Sequence, residues 1–141
     1  MSFPLVLDYF SARSKAIGYK EHQDAFNFDN NPDSIIDKTF HIETGTWDGV
    51  KLNQTDQEVS CDVTVRLFFK AFRSTIETRR VAAVESEKLV KECLKHSNRL
   101  TGASIKNVQL ESVNFEPLAT SNDNIVVAKH LFSALVILDI T

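Results

Sequence analysis

The sequence predicts an α+β fold: an antiparallel sheet of strands of mixed length, one long amphipathic helix packed on one face of it, and a second helix at the N-terminus. Three observations predict it. Between Val59 and Phe69 apolar and polar residues alternate with period two, as in a strand with one buried face. From Ser74 to Arg99 the period changes to 3.6. From Ile105 onward strand-like patterns return in two segments separated by Ser121-Asn122-Asp123-Asn124, a hairpin-turn composition.

The chain has 141 residues, 43% hydrophobic and 25% charged. That is enough to bury one substantial core without disulfide or metal supports, so a single domain over 1–141 is expected. Four Gly and three Pro leave little material for linkers. The net charge of −3, from 16 basic and 19 acidic side chains without a like-charged run, disfavours specific nucleic-acid binding, which needs clustered Lys and Arg. Cys61 and Cys93 fall within apolar patterns and read as buried thiols of an intracellular protein. No basic leader precedes an apolar run, and no stretch of about 18 apolar residues occurs, so neither a signal peptide nor a membrane partner is expected.

Ser2 and Pro4 suit a helix start, and Leu5, Tyr9, Ala12, Ala16 and Tyr19 recur at helical steps to about His22. Val6, Phe10 and Ile17 widen its apolar stripe, which points to contact with more than one element or with a neighbouring subunit. Asp29-Asn30-Asn31-Pro32-Asp33 is a turn cluster. Phe26 and Phe28 before it, and Phe40 and Ile42 after it, predict short strands. Thr44 to Gly49 and Asn53 to Gln57 read as a long hairpin loop carrying Trp47, Val50 and Leu52.

The next strand places Val59, Cys61, Val63, Val65, Leu67 and Phe69 inward and Ser60, Asp62, Thr64, Arg66 and Lys70 outward, interrupted only by Phe68. In the long helix, Ile76, Ala82, Ala83, Leu89, Val90, Cys93, Leu94 and Leu100 form the expected core arc. Glu77, Glu85, Lys88, Lys91, Glu92, Lys95 and Arg99 form a solvated face, with Glu87 and Lys91 as an i,i+4 pair. Gly102 supplies the stop. Beyond it the apolar phase shifts between Leu110 and Val113, as a β-bulge requires, and Pro117 ends that strand. The last strand, Ile125 to Ile140, carries Phe132, Ala134, Val136, Leu138 and Ile140 on one side. Its final third is apolar on the other side too, through Leu135 and Ile137. Such a strand belongs at a sheet centre, with the long helix on one face and the first helix on the other, or against a partner subunit.

The chemistry-bearing residues form no motif. His22, His41, His96 and His130 lie in different elements, none at metal-ligand spacing with another donor. His130 shares a side with Phe132 and reads as a satisfied, partly buried core residue. No P-loop, GxSxG, GxGxxG, HExxH or EF-hand pattern occurs. Cys61 as a nucleophile with His41 or His130 is opposed by its place among inward residues, where desolvation raises a thiol pKa. No catalytic, cofactor or metal site is therefore expected, and the enzyme alternative would need a pocket between subunits holding several of Asp37, His41, Cys61 and His130. Trp47, an aromatic in a polar segment, reads equally as an interface anchor or as a side chain folded back on its own sheet.

The element order, with the stretch from Phe26 to Gly45, resembles the tail terminator, or tail-completion, proteins of long-tailed bacteriophages. The resemblance covers most of the chain and contains no short invariant motif, so no functional residue is carried over from it. It implies a structural virion protein at the head-proximal end of the tail, assembled in the host cytoplasm. Such a protein is a homohexameric ring that caps the tube, ends its polymerisation and offers a surface to the head–tail connector. DNA would pass through the lumen unbound, which a mildly acidic wall suits. On that reading Phe10, Ile17, Trp47, Val50 and Leu52 are the candidate subunit-interface residues, and the partners are a second copy, the tail tube protein and the connector. Another small assembly subunit, such as a head–tail connector or secretion-tube component, is the alternative.

Overall fold

A computed structural model describes residues 2–21, 38–52, 55–70, 75–97, 105–117 and 125–139. In chain order the elements are α1 (Ser2–Ala16), β1 (Lys20–Glu21), β2 (Thr39–Leu52), β3 (Asp56–Lys70), α2 (Thr75–Ser97), β4 (Ile105–Pro117) and β5 (Ile125–Asp139). They form an α+β fold with a five-stranded sheet in the order β1-β2-β3-β5-β4. Every pairing is antiparallel except that of the two-residue β1, which joins β2 in parallel through Lys20 with Thr39 and Glu21 with Phe40.

Period-two alternation segregates the sheet into two faces. Val63 lies opposite Phe132, Val65 opposite His130 and Leu67 opposite Ala128, and all of these are buried beneath the helices. Both helices lie on this one face. In α1, Val6, Tyr9 and Phe10 point down into it, and the Phe10 ring meets Phe132 with centroids 5.1 Å apart. The expectation that the first helix would cover the opposite face is corrected by that contact. The helices are tied to each other by the Tyr9 hydroxyl, which donates to the Cys93 carbonyl, and by Arg13 Nη1 with Glu92 Oε1 at 3.2 Å.

α1 ends at Ala16, short of the expected His22. Gly18 stops it: with φ of 96° it takes the left-handed conformation that closes a helix. Its N–H bonds to the Lys15 carbonyl at 3.0 Å, and the Tyr19 N–H bonds to the Ser14 carbonyl at 3.2 Å. Tyr19 then turns inward, edge-on to Phe69.

The expected long hairpin loop is strand from Thr44 to Leu52 and at Asp56 and Gln57, while Asn53 and Gln54 lie outside the described residues. β2 continues through Trp47 to Leu52, pairing with β3 as far as Gln57, with register shifts between Thr44 and Trp47 and between Gly49 and Lys51. Turn-forming residues are tolerated here because bulges need them. A Cβ on Gly49 would sit 2.7 Å from Gln57 Nε2, the end of a flexible side chain that can swing aside. The short strands expected around Phe26 and Phe28, and the turn at Asp29 to Asp33, lie outside the described residues, as do Leu100, Gly102 and the turn at Ser121 to Asn124. The expected bulge in β4 falls between Leu110 and Ser112, and a second shift lies between Ile105 and Asn107.

The α2 core arc is narrower and rotated from the expected one. Ala82, Ser86, Leu89 and Cys93 are buried, and Val90 and Leu94 pack on the core margin. Ile76 and Ala83, assigned to the arc from the sequence, are exposed. Glu92, assigned to the solvated face, leans to Arg13 instead. β5 is an interior strand, between β3 and β4. On the other face, which carries no helix among the described residues and is called the helix-free face below, its buried residues are Ile125 and Val127, which cluster with Phe68. Leu135 and Ile137, near its other end, are only half-buried.

Candidate functional site

The five candidate interface residues separate into three groups. Phe10 is removed from candidacy: it is completely buried against Tyr9 and Phe132, so a neighbouring subunit cannot reach it. The wide stripe of α1 reflects contact with both the sheet, through Phe10, and α2, through Tyr9. Ile17 and Trp47 are half-buried and pack against the same core. The register places Trp47 opposite Cys61, on the helix-bearing face, so its ring folds back on its own sheet. Val50 and Leu52 remain on the surface, 58% and 64% exposed at the end of the β2–β3 hairpin.

Sequence periodicity missed a second exposed apolar group. On α2, Ile76 is 71% and Val84 56% exposed, with Val81 also out in solvent. Val81 and Val84 fell outside the expected core arc, and apolar residues off the arc were the available signal. Leu5 and Leu7 add a third, smaller group on α1. Scattered surface leucines are ordinary, whereas groups of large aliphatic side chains on one element mark contact surfaces.

The side chains with reactive potential are not assembled. Cys61 and His130 share the helix-bearing face but stand opposite different rows of the ladder, Ala134 and Val65. The four-residue offset between Cys61 and Val65 corresponds to roughly 13 Å along a strand. His41 pairs with Arg66 and so belongs to the other face of the sheet. Asp37 lies outside the described residues. Burial pushes the Cys61 thiol up to about 12, helped by the neighbouring Asp62 carboxylate, and burial likewise lifts Cys93 to about 12. Neither thiol is a thiolate at neutral pH.

His130 is fully buried rather than partly so, and only one of its ring nitrogens is satisfied. Nδ1 lies 2.9 Å from the Val65 carbonyl, which can only accept, so Nδ1 carries the proton. Nε2 is buried with no hydrogen-bond partner among the described residues. Burial is the dominant cause holding its pKa down, at about 4 against an ordinary 6.5. On the helix-free face, Arg66 Nη1 donates to Glu43 Oε2 at 2.7 Å, and that bond lowers the Glu43 carboxyl below its usual range. Among the described residues no group of three or more His, Cys, Asp or Glu could hold a metal ion, and no helix is long and apolar enough to cross a membrane.

No protein-family model matches the chain, and no curated protein matches it.

Proposed function

We propose that this chain is a non-enzymatic assembly subunit of the tail-terminator kind. It closes into a ring on the end of a phage tail tube, halts the growth of the tube and presents a surface for head joining. The observation that carries the reading is the placement of exposed aliphatic groups, Val50 and Leu52 at the hairpin end and Ile76, Val81 and Val84 on the first half of α2. A subunit that contacts neighbours head to tail needs two different patches, one for each neighbour, and a ring results when the rotation closes. Of the features on which the resemblance rests, the N-terminal helix, the long helix after a central strand and the closing hairpin support the reading, whereas the long inter-strand loop is strand. The partners on this reading are further copies of the chain, the tube protein and the head–tail connector. DNA crosses the lumen without specific contacts.

Light scattering on a sizing column, across a range of concentrations and with tube protein added, tests it. A concentration-dependent multimer that appears as rings in negative stain is expected. A strict monomer under both conditions would overturn the proposal.

A further inference from the structure

The connection from β3 to β4 fixes what lies beneath the middle of α2. β3 ends at Lys70, opposite Ile125 of β5, and β4 begins at Ile105, opposite Val136 of the same strand. β5 stands between β3 and β4, so a helix that leads from one to the other crosses over β5, and α2 contacts all three strands. Ser86 is the central residue of this 23-residue helix. His130 lies midway along β5 between Ile125 and Val136. The crossing therefore sets Ser86 over His130. Both side chains enter the layer between helix and sheet: Ser86 belongs to the buried arc with Ala82, Leu89 and Cys93, and His130 to the inward row with Ala128 and Phe132.

Each of the two carries a buried polar atom without a hydrogen-bond partner among the described residues, Oγ of Ser86 and Nε2 of His130. A serine inside a helix commonly donates to the carbonyl four residues back, as Ser14 does to Phe10 at 2.8 Å, and Ser86 makes no such bond. The His130 Nδ1–H is directed to the Val65 carbonyl, which leaves Nε2 as a pure acceptor. One surface thus offers a hydroxyl and the other a lone pair, separated by more than a direct hydrogen bond. Buried polar groups of native proteins are paired, and an internal water is the common partner where a short gap separates two of them. Ala82 and Ala128, beside them on the facing surfaces, are small and fully buried, so neither fills that gap as a larger residue would. We propose that one buried water joins Ser86 Oγ to His130 Nε2, accepting from the hydroxyl and donating to the ring, and so fastens the middle of α2 to the centre of the sheet. The ligand is water rather than an ion, because both partners are neutral at pH 7 and no charged side chain acts on the ring. The contact is internal to one chain and independent of the assembly reading.

The test is nuclear magnetic resonance on the nitrogen-15-labelled full chain at pH 7. Long-range proton–nitrogen correlations of the His130 ring should show a protonated Nδ1 and an unprotonated, hydrogen-bonded Nε2. A cross-relaxation peak should connect the ring hydrogens flanking Nε2 to a water that exchanges with bulk solvent more slowly than surface water does. Ser86→Ala removes one of the two partners of that water, so its peak should be lost and the Nε2 resonance should move toward that of an unbonded nitrogen. Ser133→Ala, a change of the same kind on the helix-free face of β5, should leave both signals as they are. A proton on Nε2, or no water peak in the unaltered chain, would overturn the proposal, and so would a water peak that survives Ser86→Ala at full strength. If a melting curve shows Ser86→Ala to be unfolded, Ser86→Cys, which keeps the shape and supplies only a weak donor, takes its place in the same comparison.

Discussion

Phe132 and Leu131 are adjacent in β5, yet Phe132 is sealed beneath two helices, whereas Leu131 is half-buried on a face that no described helix covers. The strands are the same on both faces. What differs is which residues the alternation delivers to each. On the covered face apolar rows from β3 and β5 meet Val6 and Phe10 of α1 and Leu89 of α2 to form one continuous core. On the other, Asp62, Thr64 and Arg66 stand beside Leu131 and Ser133, and only the end at Phe68, Ile125 and Val127 is closed off. Burial depends on what lies over a strand as well as on its own pattern.

The contrast can be tested most severely at Leu89, at the centre of the α2 contact. Leu89→Asp places a carboxylate in the core, a cost above about 4 kcal/mol that should unfold the domain. A folded variant with an unchanged melting temperature would break the assignment of that face. Next, Phe132→Ala should cost about 3–5 kcal/mol in urea unfolding, while Leu131→Ala, one residue away, should cost about 1 kcal/mol. Equal losses would show that the two faces do not differ as described.

His130 sharpens the comparison through pH. Its folded-state pKa of about 4 lies below the ordinary 6.5, so folding favours the neutral ring. The stabilisation is fully present above pH 6.5 and is lost as pH falls from there toward 4, up to about 3 kcal/mol in all. Unfolding free energies of the unaltered chain and His130→Leu, measured between pH 7 and 4, should differ in slope across that window; parallel profiles would remove His130 as the cause. The smallest effect is expected at Lys91, whose pair with Glu87 is fully on the solvent side at 3.1 Å. Lys91→Ala should change stability by less than about 0.5 kcal/mol in the same unfolding assay.

β3 was legible because from Val59 onward its inward residues are all aliphatic, aromatic or Cys, and its outward ones, Phe68 apart, are polar. The existence and length of α2 were legible for the same kind of reason. Its exposed apolar residues were not, because periodicity fixes a stripe only relative to itself, and the face that meets the core is the one carrying Ala82, Leu89 and Cys93, which takes Ser86 inside and leaves Ile76 and Ala83 out. β2 was misread because a bulged strand uses the glycines and polar residues of a loop, and only its pairing with β3 reveals it. Of the candidate interface, Val50 and Leu52 came through as surface residues. Phe10 and Trp47 did not, since large aromatic side chains satisfy a core and an interface equally well and tertiary packing alone decides between them.

The register of β3 with β5 has a consequence for how the chain acquires its shape. Each of the two long hairpins, β2 with β3 and β4 with β5, joins segments that are neighbours in sequence, but the seam between them pairs Asp56 with Asp139 and Lys70 with Ile125. That seam closes only after α2 and β4 have been brought round, and such distant pairings are slow to form. Until it closes, β3 and β5 each offer an unpaired edge, an invitation to strands from other molecules. Refolding should therefore be limited by zipping the seam. Substitutions at Val63 or Ala134 are expected to slow it, whereas substitutions at the outer edges of β2 and β4 mainly hasten unfolding in stopped-flow measurements.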